Sequence, residues 1–217
     1  AIDEARERVK TAIVNSGLDF PPKKITVNLA PADLPKDGAA YDLPIAIGIL
    51  AASNQIPKLD NLKSSIFYGE LSLDGSLRTT KGVLLVGLHA QASQLSPIFV
   101  PIENANEAAV VKDLQILPVR CLTQLVDHLH DVKTIAPLKY VPVDNLIDEI
   151  NFDIDLSEIA GQELAKRALT ITAAGGHNLL MWGPPGTGKT MLAKAMPSIL
   201  PPLSAPEALE VTRIYSV

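Results

Sequence analysis

Apolar and polar residues change their spacing several times along the chain, and each change marks an element. Ile2, Ala5, Val9, Ala12 and Ile13 recur at helical spacing with charges between them, and Gly17 is placed to cap that helix. After Pro21 and Pro22, the alternation from Ile25 to Leu29 predicts a strand. Ala30 to Tyr41 reads as a loop holding Pro31, Pro35 and a turn ending at Gly38. Leu43 to Asn54 is apolar nearly all round, which predicts a helix buried inside a domain. Ser65 to Leu73 and Ser76 to Arg78 flank Asp74 and Gly75, a dipeptide that predicts a hairpin. A helix over 82–93, a strand over Pro97 to Val100, a helical turn or two over Asn106 to Lys112, a strand over Leu114 to Val119 and a helix over Leu122 to His130 follow. Strands and helices in alternation predict an α/β domain with one antiparallel hairpin inserted.

From Lys133 to Ser157 the pattern lapses. Pro137 and Pro142 break structure, and Asp144, Asp148, Glu149, Asp153, Asp155 and Glu158 make the stretch acidic. This reads as a linker between two domains, the alternative being a solvated loop within one. Ile159 to Ala174 is again helical, with Leu164, Ala168 and Ile171 on one face and Gly175-Gly176 as its stop. Leu179 to Trp182 is a short apolar run suited to a buried strand, and Met191 to Met196 has the composition of a helix start. A Pro-broken loop and another helix, opening at Pro206, end the chain.

Between that strand and that helix lies the one stretch that spells out chemistry. Gly183, Pro184, Pro185, Gly186, Thr187, Gly188, Lys189 and Thr190 fit G-x-x-x-x-G-K-[ST], the phosphate-binding loop. Gly183, Gly186 and Gly188 let the backbone bend tightly and turn its N–H groups inward on a triphosphate. The helix N-terminus adds partial positive charge. Lys189 would reach the β- and γ-phosphates, and the Thr190 hydroxyl, next to Met191, would ligate Mg2+. ATP and Mg2+ are therefore the expected cofactors. A chance Gly-rich turn is the competing reading, but it does not require every fixed position to be filled between a strand and a helix.

Composition narrows the setting. A hydrophobic content of 47% with 4% aromatic residues suits an α/β protein packed with Ile, Leu, Val and Ala. The net charge of −5 argues against a strong nucleic-acid footprint on this piece, without excluding DNA binding by an assembly. Cys121 is the one cysteine, so no internal disulfide forms and a cytoplasmic location is expected, with a buried inert thiol the reading of Cys121 and a reactive thiol its alternative. No apolar run reaches the roughly 18 residues of a membrane span, so no membrane partner is expected. The charged opening from Asp3 to Lys10 does not fit a signal peptide, and the missing Met suggests a trimmed fragment.

The remaining polar residues give weaker signals. His128 and His130 are two apart and point in different directions on a helix, and Asp127 and Asp131 beside them fit no metal-ligand spacing. His89 reads as structural, and His177 as structural or exposed with a catalytic role as the alternative. Lys194 and Arg213 could touch a neighbouring subunit or DNA, and nothing in the sequence decides which.

Two stretches carry a family resemblance. Gly183 to Thr190, preceded by Ile159, Ala160, Gly161 and Gln162 and followed by Ile199 to Leu203 and Glu210 to Ile214, resembles the magnesium-chelatase-like branch of AAA+ ATPases. The first 130 residues, with Val27 to Lys36 and Tyr41 to Gly48, resemble the amino-terminal domain of ComM-type competence proteins. The resemblance implies a Lon-protease-like domain of the ribosomal S5 domain 2 fold over 1–135, an acidic linker over 136–158 and the start of a P-loop AAA+ domain over 159–217. It also implies bacterial origin, a homo-oligomeric (hexameric) ring with ATP between subunits, and DNA branch migration in natural transformation. Gly161 and Gln162 would then lie near the adenine base, the alternative being a helix cap with ordinary packing.

The resemblance also raises rivals. Lon-type proteases use a Ser-Lys dyad, but the matching positions here are Ala40 and Arg78, and arginine stays protonated and cannot act as the base. Ser53, Ser64 and Ser65 have no evident base beside them in the sequence, so peptidase activity is not expected. A stand-alone interaction module is a second rival, and the ATPase subunit of a magnesium chelatase is a third. In the family the Walker B acids, sensor and arginine finger lie further along than Val217. No catalytic set is complete in this chain, which is expected to bind ATP weakly or not at all and not to hydrolyse it.

Overall fold

The computed structural model describes residues 2–29, 38–57, 60–142 and 152–215. It divides the chain into two compact units, 1–142 together with 211–217, and 143–210. In chain order the elements are α1 (Ile2–Asn15), α2 (Asp42–Ala52), β1 (Ile66–Phe67), β2 (Glu70–Leu71), β3 (Leu77–Arg78), α3 (Val83–Ala92), β4 (Ile98–Pro101), α4 (Ala105–Ala108), β5 (Ile116–Val119), α5 (Leu122–Leu129), α6 (Glu163–Gly175), α7 (Lys189–Ala195) and α8 (Ala205–Tyr215). Short 3-10 turns cover Asp60–Ser64, Leu156–Glu158 and Met196–Ile199.

The first unit is built on a parallel sheet in the order β1-β4-β5, with Ile98 opposite Ile116 and Phe99 opposite Leu117. Successive strand residues point to opposite faces, and both faces are covered. Ile98, Val100 and Ile116 pack with Val83 and Ala90 of α3 and Ala105 and Ala108 of α4. Phe99, Leu117 and Val119 pack on the other side with Val9 and Ile13 of α1, Leu43 and Leu50 of α2, and Leu122 and Leu125 of α5. The helix predicted as apolar all round is thus α2, and it carries part of that second layer. Mixed α/β architecture with a small parallel sheet is the fold class.

The run from Ser65 to Leu73 serves two sheets. β1 joins β4, while β2 turns away to pair antiparallel with β3. The break falls at Gly69, whose N–H donates to Ala40 O at 3.0 Å and whose carbonyl accepts from Leu43 N at 3.1 Å. The Asp74-Gly75 turn closes the predicted hairpin, with Ser72 N donating to Ser76 O at 2.8 Å. Gly75 sits at φ +83°, and a Cβ there would fall 2.2 Å from Ser16 Oγ, so only glycine fits.

Among the described residues of this unit one carboxylate is buried. Asp42, 1% exposed at the start of α2, accepts from Arg8 Nε at 2.5 Å and Arg8 Nη2 at 3.0 Å, and from Leu71 N at 3.3 Å. It therefore ties α1, α2 and β2 together, and its hydrogen bond raises the Arg8 guanidinium above its ordinary pKa.

Ile25 to Leu29, predicted as a strand, is a correction. The segment pairs with no described strand, and Val27 and Leu29 are 49% and 40% exposed. Alternation reports a side-chain pattern, whereas a strand also needs a neighbour to take its backbone hydrogen bonds. The loop predicted over Ala30 to Tyr41 lies outside the described residues up to residue 37. Further on, Leu138 N donates to Ile116 O and Val141 N to Ala109 O, both at 2.9 Å, so the chain follows the first unit as far as Val141.

The second unit has a small apolar cluster of Leu156, Ile159, Leu169, Leu192 and Ala195, with Met181, Met196 and Ile199 packed against it. The run Leu179 to Trp182, predicted as a buried strand, takes no strand partner among the described residues. Leu180 is 91% exposed and Trp182 96%. On α6 the face of Leu164 and Ile171 is likewise open to solvent, and Leu169, Thr172 and Ala173 are the residues buried. Apolar runs signal a tendency to be covered, and here the cover is not supplied. No described helix is long and apolar enough to cross a membrane.

Candidate functional site

The phosphate-loop signature lies between the extended segment ending at Trp182 and α7. Gly186 at φ +82° and Gly188 at φ +80° supply the left-handed backbone that folds the loop back on itself, and Gly188 caps α7. That places Lys189 at the first turn of the helix. Its ammonium is turned inward, with Nζ donating to Gly183 O at 2.8 Å, Pro184 O at 2.6 Å and Thr187 Oγ1 at 3.2 Å. Thr187 Oγ1 in turn donates to Pro184 O at 3.0 Å. Thr190 and Met191 are exposed beside the loop. A cation held inside a left-handed glycine turn fits an anionic, phosphate-like group chemically.

The second predicted segment reaches the same place. Gly161 at φ +66° and Gln162 at φ +59° make a sharp bend ahead of α6, and Gln162 Nε2 donates to Thr187 O at 3.4 Å. Residues from two separate stretches, 161–162 and 183–191, therefore meet. Thr187 lies within the predicted loop, but sequence reasoning gives its hydroxyl no role of its own. It occupies an unspecified position in the signature, so only its geometry singles it out.

The other polar candidates stand apart from the loop. His128 Nδ1 accepts from Ile135 N at 3.0 Å, and its ring meets Phe99 edge-on at 5.6 Å between centroids. His130 Nε2 lies 2.9 Å from Gln55 O. His128, Ser65 and Asp131 border a cleft of about 260 Å3, floored by Phe99 and Leu117. His177 and Lys194 are exposed, and the Arg213 side chain lies outside the described residues. Ala40 is buried, whereas Arg78 is exposed, its Nε donating to Ser72 Oγ at 2.5 Å and its Nη1 4.0 Å from Glu70 Oε1. Cys121 is a free thiol, half-buried at the start of α5. No group of three or more His, Cys, Asp or Glu that could hold a metal ion occurs among the described residues.

Comparison with known proteins covers both units. Residues 1–104 match the family described as subunit ChlI of Mg-chelatase, and residues 155–217 match magnesium chelatase, subunit ChlI. The chain is 47% identical over 219 residues to the uncharacterized protein YifB of Salmonella typhimurium and 46% identical over 220 residues to the competence protein ComM of Haemophilus influenzae. An uncharacterized protein of Mycobacterium tuberculosis is 39% identical over 217 residues. Each alignment takes in 100% of this chain and 42% of the relative, so the chain spans about two fifths of the length of these curated relatives. With each unit matched to a family described as the ChlI subunit of magnesium chelatase and the whole chain aligned to ComM and YifB, the chain is a ComM-like member of the magnesium-chelatase family.

Proposed function

We propose that the loop from Gly183 to Thr190 binds ATP with Mg2+, and that the full-length protein is an ATP-driven AAA+ motor that migrates branched DNA during transformation and recombination. One observation carries the nucleotide reading. In a loop with the phosphate-binding signature, the Lys189 ammonium is already turned inward, 2.6 to 3.2 Å from its oxygen partners. Lys189 and the backbone N–H groups of the glycine turn would hold the phosphates, Thr190 would hold Mg2+, and Gly161 with Gln162 would stand toward the base. The metal held there would supply positive charge to offset the charge that develops on the phosphates.

The DNA reading rests on likeness to a relative named a competence protein. In that reading the first unit is a Lon-like scaffold or interaction domain, with Ala40 and Arg78 where a peptidase dyad would stand. The protein would assemble as a homo-oligomeric (hexameric) ring in the cytoplasm. The bare segment Leu179 to Trp182 supports the view that further strands of the nucleotide-binding domain come from elsewhere in the full-length chain. A chelatase ATPase subunit is the second reading, favoured by the descriptions of both matched families.

The full-length protein separates these readings. DNA-stimulated ATP turnover together with movement of a four-way junction supports the motor. Nucleotide-dependent insertion of Mg2+ into protoporphyrin, without a DNA effect, supports the chelatase. Lys189→Ala is expected to weaken ATP binding roughly ten- to a hundredfold, the factor carried by a hydrogen bond to a charged group. The 217-residue chain alone is expected not to turn over ATP, and steady turnover lost in its Lys189→Ala variant would refute that.

A further inference from the structure

We propose that Thr187 is the positioning residue of the phosphate loop. Its hydroxyl holds the Lys189 ammonium across the loop, and a nucleotide enters by taking Lys189 away from it. This rests on the nucleotide reading above and adds a gate to it.

The hydrogen bonds close a small circuit. A lysine ammonium has three protons to donate and accepts nothing. Here they go to Gly183 O, Pro184 O and Thr187 Oγ1. Thr187 Oγ1 accepts from Lys189 and gives its own proton to Pro184 O at 3.0 Å, so donors and acceptors match around the ring. Thr187 Oγ1 also lies 3.6 Å from where a Cβ on Gly183 would stand, which puts the hydroxyl against the opposite wall of the loop. The Thr187 carbonyl accepts from Gln162 Nε2 at 3.4 Å, so the residue is also tied to the segment ahead of α6.

A loop closed on itself in this way offers its cation to no one until a better partner arrives. A phosphate oxygen is such a partner, because hydrogen bonds between two charged groups are shorter and stronger than those from an ammonium to neutral oxygens. Entry therefore exchanges three internal bonds for phosphate bonds, and the hydroxyl sets how readily the exchange begins. A methyl in its place keeps the shape and removes both hydrogen bonds.

Stopped-flow binding of a fluorescent ATP analogue with Mg2+ to the full-length protein tests this, using wild type, Thr187→Val and Thr187→Ser. The expected result is an association rate raised about two- to tenfold in Thr187→Val, the factor one net hydrogen bond carries, with Thr187→Ser restoring the wild-type rate. Thr187 is exposed, so the fold should survive both changes, and matching circular dichroism confirms it. An association rate in Thr187→Val that is unchanged or slower, with only dissociation faster, overturns the gate and leaves Thr187 a part of the loop's shape. Absence of nucleotide binding in the wild type overturns the underlying reading instead.

Discussion

The two units carry similar sequence signals and treat them differently. Each has an apolar run that reads as a short strand, Pro97 to Val100 in one and Leu179 to Trp182 in the other. In the first unit β4 lies between two parallel neighbours with helices on both faces, and Phe99 is 2% exposed. In the second the run has no described strand beside it, and Trp182 is 96% exposed. The difference is not hydrophobicity but company. Burial of a strand is a property of its neighbours, and the first unit contains them within its own sequence.

The largest expected effect breaks the comparison on the side of the built core. Phe99 stacks on Phe67 with ring centroids 4.7 Å apart and meets His128 edge-on. Phe99→Ala removes the ring from between those partners and is expected to cost about 4 kcal/mol, the lost transfer energy plus a cavity. Urea unfolding of the chain followed by circular dichroism measures it. A loss below about 1 kcal/mol would mean that the sheet does not hold the first unit together.

Next in size is the buried ion pair. Arg8→Ala leaves Asp42 nearly inaccessible to water with, among the described residues, only Leu71 N to satisfy it, and is expected to cost about 3 kcal/mol. Arg8→Lys should recover part of this, because a point charge cannot reproduce the two-pronged contact. The double variant Arg8→Ala/Asp42→Ala should cost less than the two single changes summed, since one interaction is removed once. Strict additivity would show that the contact does not couple α1 to α2.

These residues also mark where sequence reasoning stops. Helix and strand type follow from spacing in most of the first unit, Ile25 to Leu29 excepted, and Asp74-Gly75 locates the hairpin because few dipeptides accept that turn. The division of Ser65 to Leu73 between two sheets is not legible, since Gly69 breaks the run through contacts with Ala40 and Leu43, far away in sequence. Asp42 escapes notice because an acid at a helix start has an ordinary local explanation, and only folding reveals Arg8 beside it. The phosphate-loop signature specifies Gly183, Gly188, Lys189 and Thr190 by residue type. Thr187 occupies a free position, so its hydroxyl is legible only in three dimensions. Leu179 to Trp182 shows the converse: a pattern can state a need for burial without stating what meets it.

The smallest expected effect sharpens that last point. In this chain Trp182→Ser should change stability by no more than about 0.5 kcal/mol, as for other surface positions, because the indole touches little. Trp182 is also the sole tryptophan, so its fluorescence reports this site alone, and acrylamide should quench it freely in the 217-residue chain. If the rest of the protein supplies the neighbouring strands, the same tryptophan in the full-length protein should resist quenching relative to a Trp182→Phe control. Trp182→Ser should then cost about 3 kcal/mol, as for a buried aromatic side chain. Equal quenching in both lengths would mean that no other segment covers Leu179 to Trp182. The second unit's open face would then be a property of the folded protein and not of the piece.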